Sequence, residues 1–141
     1  MSDPTRVRDA MVPNPLMLES TATAQEAGRH LADPDVRAVL VCEGGRLAGV
    51  VTRKTLVREV VAEGLDPAST ELGRIAERPH FTLEADMGAE EAFRALEERD
   101  LERVPVVEHG RLVGVLSRAV LGRRLAEDRP QAGEEGADPD M

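Results

Sequence analysis

The 141-residue chain contains no tryptophan and no tyrosine, and only two phenylalanines, Phe81 and Phe93. Single-strand binders stack bases on aromatic rings, and duplex binders gather cations against phosphate. With 27 acidic residues against 18 basic ones and a net charge of −9, nucleic-acid binding is not expected. The one cysteine, Cys42, excludes an internal disulfide framework and a cysteine-rich zinc site, and fits a reducing compartment. No apolar run approaches the roughly 18 residues of a spanning helix, and MSDPTRVRDA lacks the apolar core of a signal peptide. A cytoplasmic protein without membrane contact is the expectation. His30, His80 and His109 share no i,i+4 spacing, so no metal site is expected. Nor is there a P-loop, a GxGxxG segment or an ordered Ser/His/Asp set, and the chain reads as non-enzymatic.

What is present suffices for a core. Hydrophobic residues make up 41% of the chain, and a chain of this length hides roughly two thirds of the surface its unfolded form exposes. The charge is unevenly placed: residues 127 to 141 carry a net −5, leaving −4 for the rest. Residues 128–141, rich in Pro, Gly and acid, are expected to form a disordered tail.

The dominant feature is an internal duplication at an offset of 65 residues. AVLVCEGGRLAGVVTRKTLVR at 38–58 lies over RVPVVEHGRLVGVLSRAVLGR at 103–123 without a gap, and the register extends upstream through Leu18/Leu83, Ala24/Ala89 and Leu31/Leu96. Each copy reads as strand, helix, strand, strand, helix. The first strands are expected at 16–18 and 80–83, after proline-containing loops. Thr23 and Glu26 have capping-box spacing ahead of a helical pattern, and Ala89, Ala92, Phe93 and Leu96 repeat that pattern. Hairpins follow, turning at Glu43-Gly44-Gly45-Arg46 and Glu108-His109-Gly110-Arg111. Thr52 and Ser117 then stand where strand gives way to helix and suit N-caps. The expected units are 7–63 and 72–127, joined by a linker at 64–71, each too small to bury its own apolar face and so packed about a pseudo-twofold axis.

These residues resemble a tandem pair of cystathionine-β-synthase (CBS) domains, the Bateman module. The carriers are Val7-Arg8-Asp9-Ala10-Met11, the strand Val104-Pro105-Val106-Val107-Glu108, and the paired segments Gly49-Val50-Val51-Thr52-Arg53 and Gly114-Val115-Leu116-Ser117-Arg118. The resemblance implies an α/β (α+β) fold and a regulatory module, without catalysis or a required cofactor. Its clefts take adenosine-containing ligands such as AMP, ADP, ATP or S-adenosylmethionine, and the module modulates a partner protein and pairs into a homodimer. Carried over, one cleft combines Thr52, Arg53 and Thr55 with Phe81, Leu101, Glu102 and Arg103; the other combines Ser117, Arg118 and Val120 with Leu16, Val36, Arg37 and Ala38. The family places a ribose-binding Asp three residues after the Thr or Ser, and this chain has Thr55 and Val120 there. A ribose hydroxyl buried against Val120 would lose a partner at a cost of about 1–3 kcal/mol. The reading is a stand-alone adenine-nucleotide sensor, with a ligand-free interaction or scaffold module as the alternative.

Overall fold

The computed structural model describes residues 5–127, so the expected tail lies outside it. The first half runs α1 (Val7–Ala10), β1 (Val12–Pro13), β2 (Met17–Glu19), α2 (Ala24–Leu31), β3 (Val39–Glu43), β4 (Arg46–Val51) and α3 (Arg53–Leu56), which continues as a π-helical turn over Val57–Val61. The second runs α4 (Leu72–Ile75), β5 (Leu83–Glu84), α5 (Ala89–Arg99), β6 (Arg103–Glu108), β7 (Arg111–Ser117) and α6 (Arg118–Glu127). The strand, helix, strand, strand, helix order occurs twice, as the duplication requires.

Local chemistry places these elements. Glu26 N–H donates to Thr23 Oγ1 at 3.2 Å, and Glu26 Oε1 accepts from Thr23 N–H at 3.3 Å, closing the capping box of α2. Gly44, Gly45, His109 and Gly110 at the hairpin tips all have positive φ, the geometry whose twist matches the flanking strands. The second leading strand is shorter than expected. It starts at Leu83 instead of His80, because the residues after Pro79 leave the sheet and wall a cavity.

One mixed sheet runs in the order β2-β3-β4-β7-β6-β5, with β1 beside β7. The two hairpins meet tip to tip. Leu47 N–H donates to Gly110 O at 3.2 Å and Leu112 N–H to Gly45 O at 3.0 Å. Arg46 reaches the carbonyl of His109 at 3.2 Å and Arg111 that of Gly44 at 3.3 Å. Each contact and its partner are related by the 65-residue offset, so the pseudo-twofold axis passes between the tips.

The halves also exchange their leading segments, which the sequence pattern does not reveal. α1 hydrogen-bonds to the second half through Val7 N–H to Met87 O (2.9 Å) and Arg8 N–H to Ala85 O (3.0 Å). α4 repeats this on the first half, through Leu72 N–H to Ala22 O (2.8 Å) and Gly73 N–H to Ser20 O (2.9 Å). The cores follow the exchange. Val7 and Ala10 pack with Leu83, Leu96, Leu116 and Leu121, whereas Leu72 and Ile75 pack with Ala27, Leu31, Val39 and Val51. Beyond each helix the chain crosses a strand of the other half: Val12 pairs with Val115, and Glu77 with Val50.

Those crossings require glycine beneath them. A Cβ at Gly49 would stand 2.9 Å from Glu77 O, and one at Gly114 2.8 Å from Val12 O. Backbone cannot retreat from such contacts as a flexible side chain can, so each Gly→Ala change must lift an exchanged segment. Gly49→Ala and Gly114→Ala should each destabilise the fold by about 1–3 kcal/mol, the usual cost of overpacking, read as a lower urea midpoint. An unchanged midpoint in both would contradict the crossing geometry.

Candidate functional site

Where the exchanged segments cross the sheet lies an open pocket of about 660 Å³ lined by residues of both halves. Its walls contain pairs related by the 65-residue offset, among them Leu16 and Phe81, Val36 and Leu101, Val50 and Val115, and Thr52 and Ser117. Residues of both clefts expected from the sequence thus line this one pocket.

Ten of the expected site residues line it: Thr52, Phe81, Leu101, Arg103, Ser117, Val120, Leu16, Val36, Arg37 and Ala38. Arg53, Thr55, Glu102 and Arg118 do not. Arg53 donates to the carbonyl of Asp33 at 2.8 Å. Arg118 forms salt bridges with Glu102 and with Asp100, the latter at 3.6 Å. Both guanidiniums are thus spent on local partners, and the Glu102 carboxylate is occupied by Arg118. Across β6 and β7 Arg103 pairs with Ser117 of its own half. What the other half contributes is the crossing segment, Glu77 beside the end of β4 and Val12 beside β7.

Thr55 is buried, and its hydroxyl is committed. Its Oγ1 accepts from Thr52 N–H at 3.0 Å and lies 3.3 Å from Glu77 Oε2, to which it donates. Thr52 Oγ1 in turn accepts from Thr55 N–H at 3.3 Å. On the opposite side Ser117 Oγ caps its helix more simply, accepting from Val120 N–H at 3.3 Å.

The charges on the wall are Arg37, Arg78 and Arg103 against Asp35 and Glu77, with His80 beside them. No described residue forms a salt bridge with any of these three arginines. In a chain carrying a net −9, three guanidiniums against two carboxylates leave this wall net positive, which suits an anion. The sequence reading missed Arg78 and Glu77, since both lie in an irregular segment outside the recognisable motifs. Phe81 also lines the cavity, with the Arg99 guanidinium 4.3 Å from its ring centre, a cation–π distance.

Comparison with known proteins now fixes the class. The CBS domain model matches residues 7–62 and 72–125, and the chain belongs to the CBS domain family. It is 30% identical over 124 residues to hypoxic response protein 1 of Mycobacterium tuberculosis, covering 87% of each chain. It is 25% identical to the CBS domain-containing protein YhcV of Bacillus subtilis over 79% of each. Among solved structures it resembles Hypoxic Response Protein I with two coordinated zinc ions, at 29% identity and a TM-score of 0.72, over 85% of this chain and 98% of that one. CBSX2 in complex with AMP shares the fold at 22% identity and a TM-score of 0.68, over 86% and 96%.

Among the described residues no three His, Cys, Asp or Glu side chains stand together as ligands. Cys42 is fully buried in β3 and its thiol donates to Met17 Sδ at 3.5 Å. Burial raises its pKa, and the nearby Glu19 carboxylate adds to the rise. Because the thiolate is the reactive form, Cys42 should resist alkylation until well above the pH that suffices for the unfolded chain. The folded state also holds the thiol proton more tightly, so stability should fall as pH rises past the ordinary thiol range. Iodoacetamide labelling across pH with and without denaturant measures the first effect; equal rates in both states would contradict the burial.

Proposed function

We propose that this CBS pair is a cytoplasmic regulatory module that senses an adenine nucleotide and passes its state to a partner protein. The observation that carries the reading is a pocket of about 660 Å³ bounded by both halves, whose wall holds three arginines, none in a salt bridge with a described residue, against two carboxylates. That volume suits a nucleotide-sized ligand. The fold of a protein solved with AMP supports the class of ligand, and the arginines favour AMP, ADP or ATP over S-adenosylmethionine, which carries no phosphate. The mechanism is differential binding: a ligand touching both halves favours one relative arrangement, and only its preference between arrangements can act on a partner.

Thermal melting with AMP, ADP, ATP, S-adenosylmethionine and adenosine tests it, since a ligand bound only by the folded chain raises the midpoint. The phosphorylated compounds should raise it and adenosine should do so least. Arg103→Ala should weaken AMP binding by about tenfold or more, as expected for a charge-assisted hydrogen bond, and change adenosine little. No shift with any compound at millimolar concentration would overturn the proposal in favour of a ligand-free interaction module, the reading favoured by Val120.

Homodimerisation belongs to the same proposal. The helical faces expected to supply it are unequal: Leu121 is fully buried in its own half, whereas Val57 and Val61 are 57% and 72% exposed. A second copy covering these valines accounts for an apolar pair left in water. Light scattering should find a dimer that Val61→Glu dissociates, and a monomeric wild type at tens of micromolar would reject this.

A further inference from the structure

The family motif places a carboxylate three residues after the capping Thr, and Thr55 stands there instead. A carboxylate is nonetheless present, delivered from the other half. Glu77 lies on the crossing segment, where its own N–H and carbonyl are bridged to Val50 at 2.9 and 2.8 Å. Its side chain lines the cavity, and Oε2 accepts from the Thr55 hydroxyl at 3.3 Å. Thr52 N–H donates to Thr55 Oγ1, the two threonine hydroxyls lie 3.1 Å apart, and Thr55 Oγ1 donates to Glu77. Such a chain polarises its members and fixes the last of them. An ionised carboxylate has about four acceptor sites, and Thr55 uses one. The remainder suit a ligand bearing two adjacent hydroxyl donors.

We infer that Glu77 is the diol-reading residue of this cavity, selecting a ribonucleotide over its 2′-deoxy counterpart, and that it has no duplication-related counterpart. The inference rests on the nucleotide reading above and deepens it. The lack of a counterpart follows from the duplication. The residue related to Glu77 is Val12 and the one related to Thr55 is Val120, so the Ser117 side lacks both the carboxylate and the hydroxyl that would hold it. The pair Thr55–Glu77 thus divides between two elements the role that one Asp has in the family motif.

The test compares AMP with 2′-deoxyadenosine monophosphate by calorimetry on the full chain and on Glu77→Val and Glu77→Gln. Using the ratio of the two affinities cancels any general effect of losing a negative charge near phosphate. Wild type should prefer AMP by about tenfold, the value of one hydrogen bond to a charged acceptor. Glu77→Val, which copies Val12, should bring the ratio close to one, and Glu77→Gln should fall between, because a neutral acceptor bonds about half as strongly. The bridge to Val50 is main chain only, so both variants should keep the wild-type fold, checked by their melting midpoints. A wild type that binds AMP without ribose preference, or a preference that survives in both variants, overturns the role of Glu77 and leaves the nucleotide reading standing. A wild type that binds neither compound overturns both.

Discussion

The main-chain hydrogen bonds that seat α1 on the second half and α4 on the first are the constraint from which the rest of the structure follows. Each half lacks one wall of its core until the other supplies a short helix: Val7 and Ala10 in one direction, Leu72 and Ile75 in the other. Four-residue helices have no stability of their own, since nucleation is unfavourable and an isolated helix needs a dozen or more residues to persist. They are helical because they are docked. Val7, Leu72, Leu83 and Leu116 are all fully buried, and a buried aliphatic side chain of this size contributes about 1.5–3 kcal/mol. Neither half can reach that burial alone, so the exchange couples their folding.

The same exchange makes the cavity. A chain that docks α4 on the first half must return across β4 to begin its own sheet, and Glu77 lies on that return; Val12 lies on the other. The crossing residues Val12 and Glu77 both line the pocket, together with Val50, Thr52, Val115 and Ser117 at the ends of the strands away from the hairpin tips. The arginines on its walls are unlike the two described ones held in salt bridges, Arg8 and Arg118. Arg8 illustrates the contrast: it is held by Asp86 and Glu108, raising its own pKa and lowering that of Asp86. Arg37, Arg78 and Arg103 have no such partner among the described residues.

Much of this was legible because it is local. The Thr23 capping box, the glycine-bearing turns and the Thr52 and Ser117 caps are written in residues three or four apart, and the duplication doubles each signal. The exchange was not legible, because α1 and α4 look the same in sequence whichever half they pack on. The pairing of Arg103 with Ser117 depends on the register of β6 against β7, which residues three or four apart do not encode. Arg53 and Arg118 were expected at the cavity on position alone, yet a guanidinium on a long stem goes to the nearest acceptor, here the Asp33 carbonyl and the Glu102 carboxylate. Glu77 escaped notice for a related reason: a motif search looks for its carboxylate at a fixed place in the chain, while a ligand responds only to its place in space.

That difference bears on how a duplicated site can change. Two related positions begin with equal chemistry, and a substitution in either breaks the symmetry of the compartment they share. Here the Thr52 side holds a hydroxyl chain ending in a carboxylate, and the Ser117 side holds Val12 and Val120. A symmetric cavity would bind a ligand equally in two orientations, and its contacts would pull on the two halves alike. An asymmetric one orients its ligand, so that a donor-rich end meets the Thr52 side and the exchanged α4 segment that carries Glu77. In the proposed sensor, binding energy is then applied to the segment that joins the halves, which is where a preference between their arrangements can be expressed.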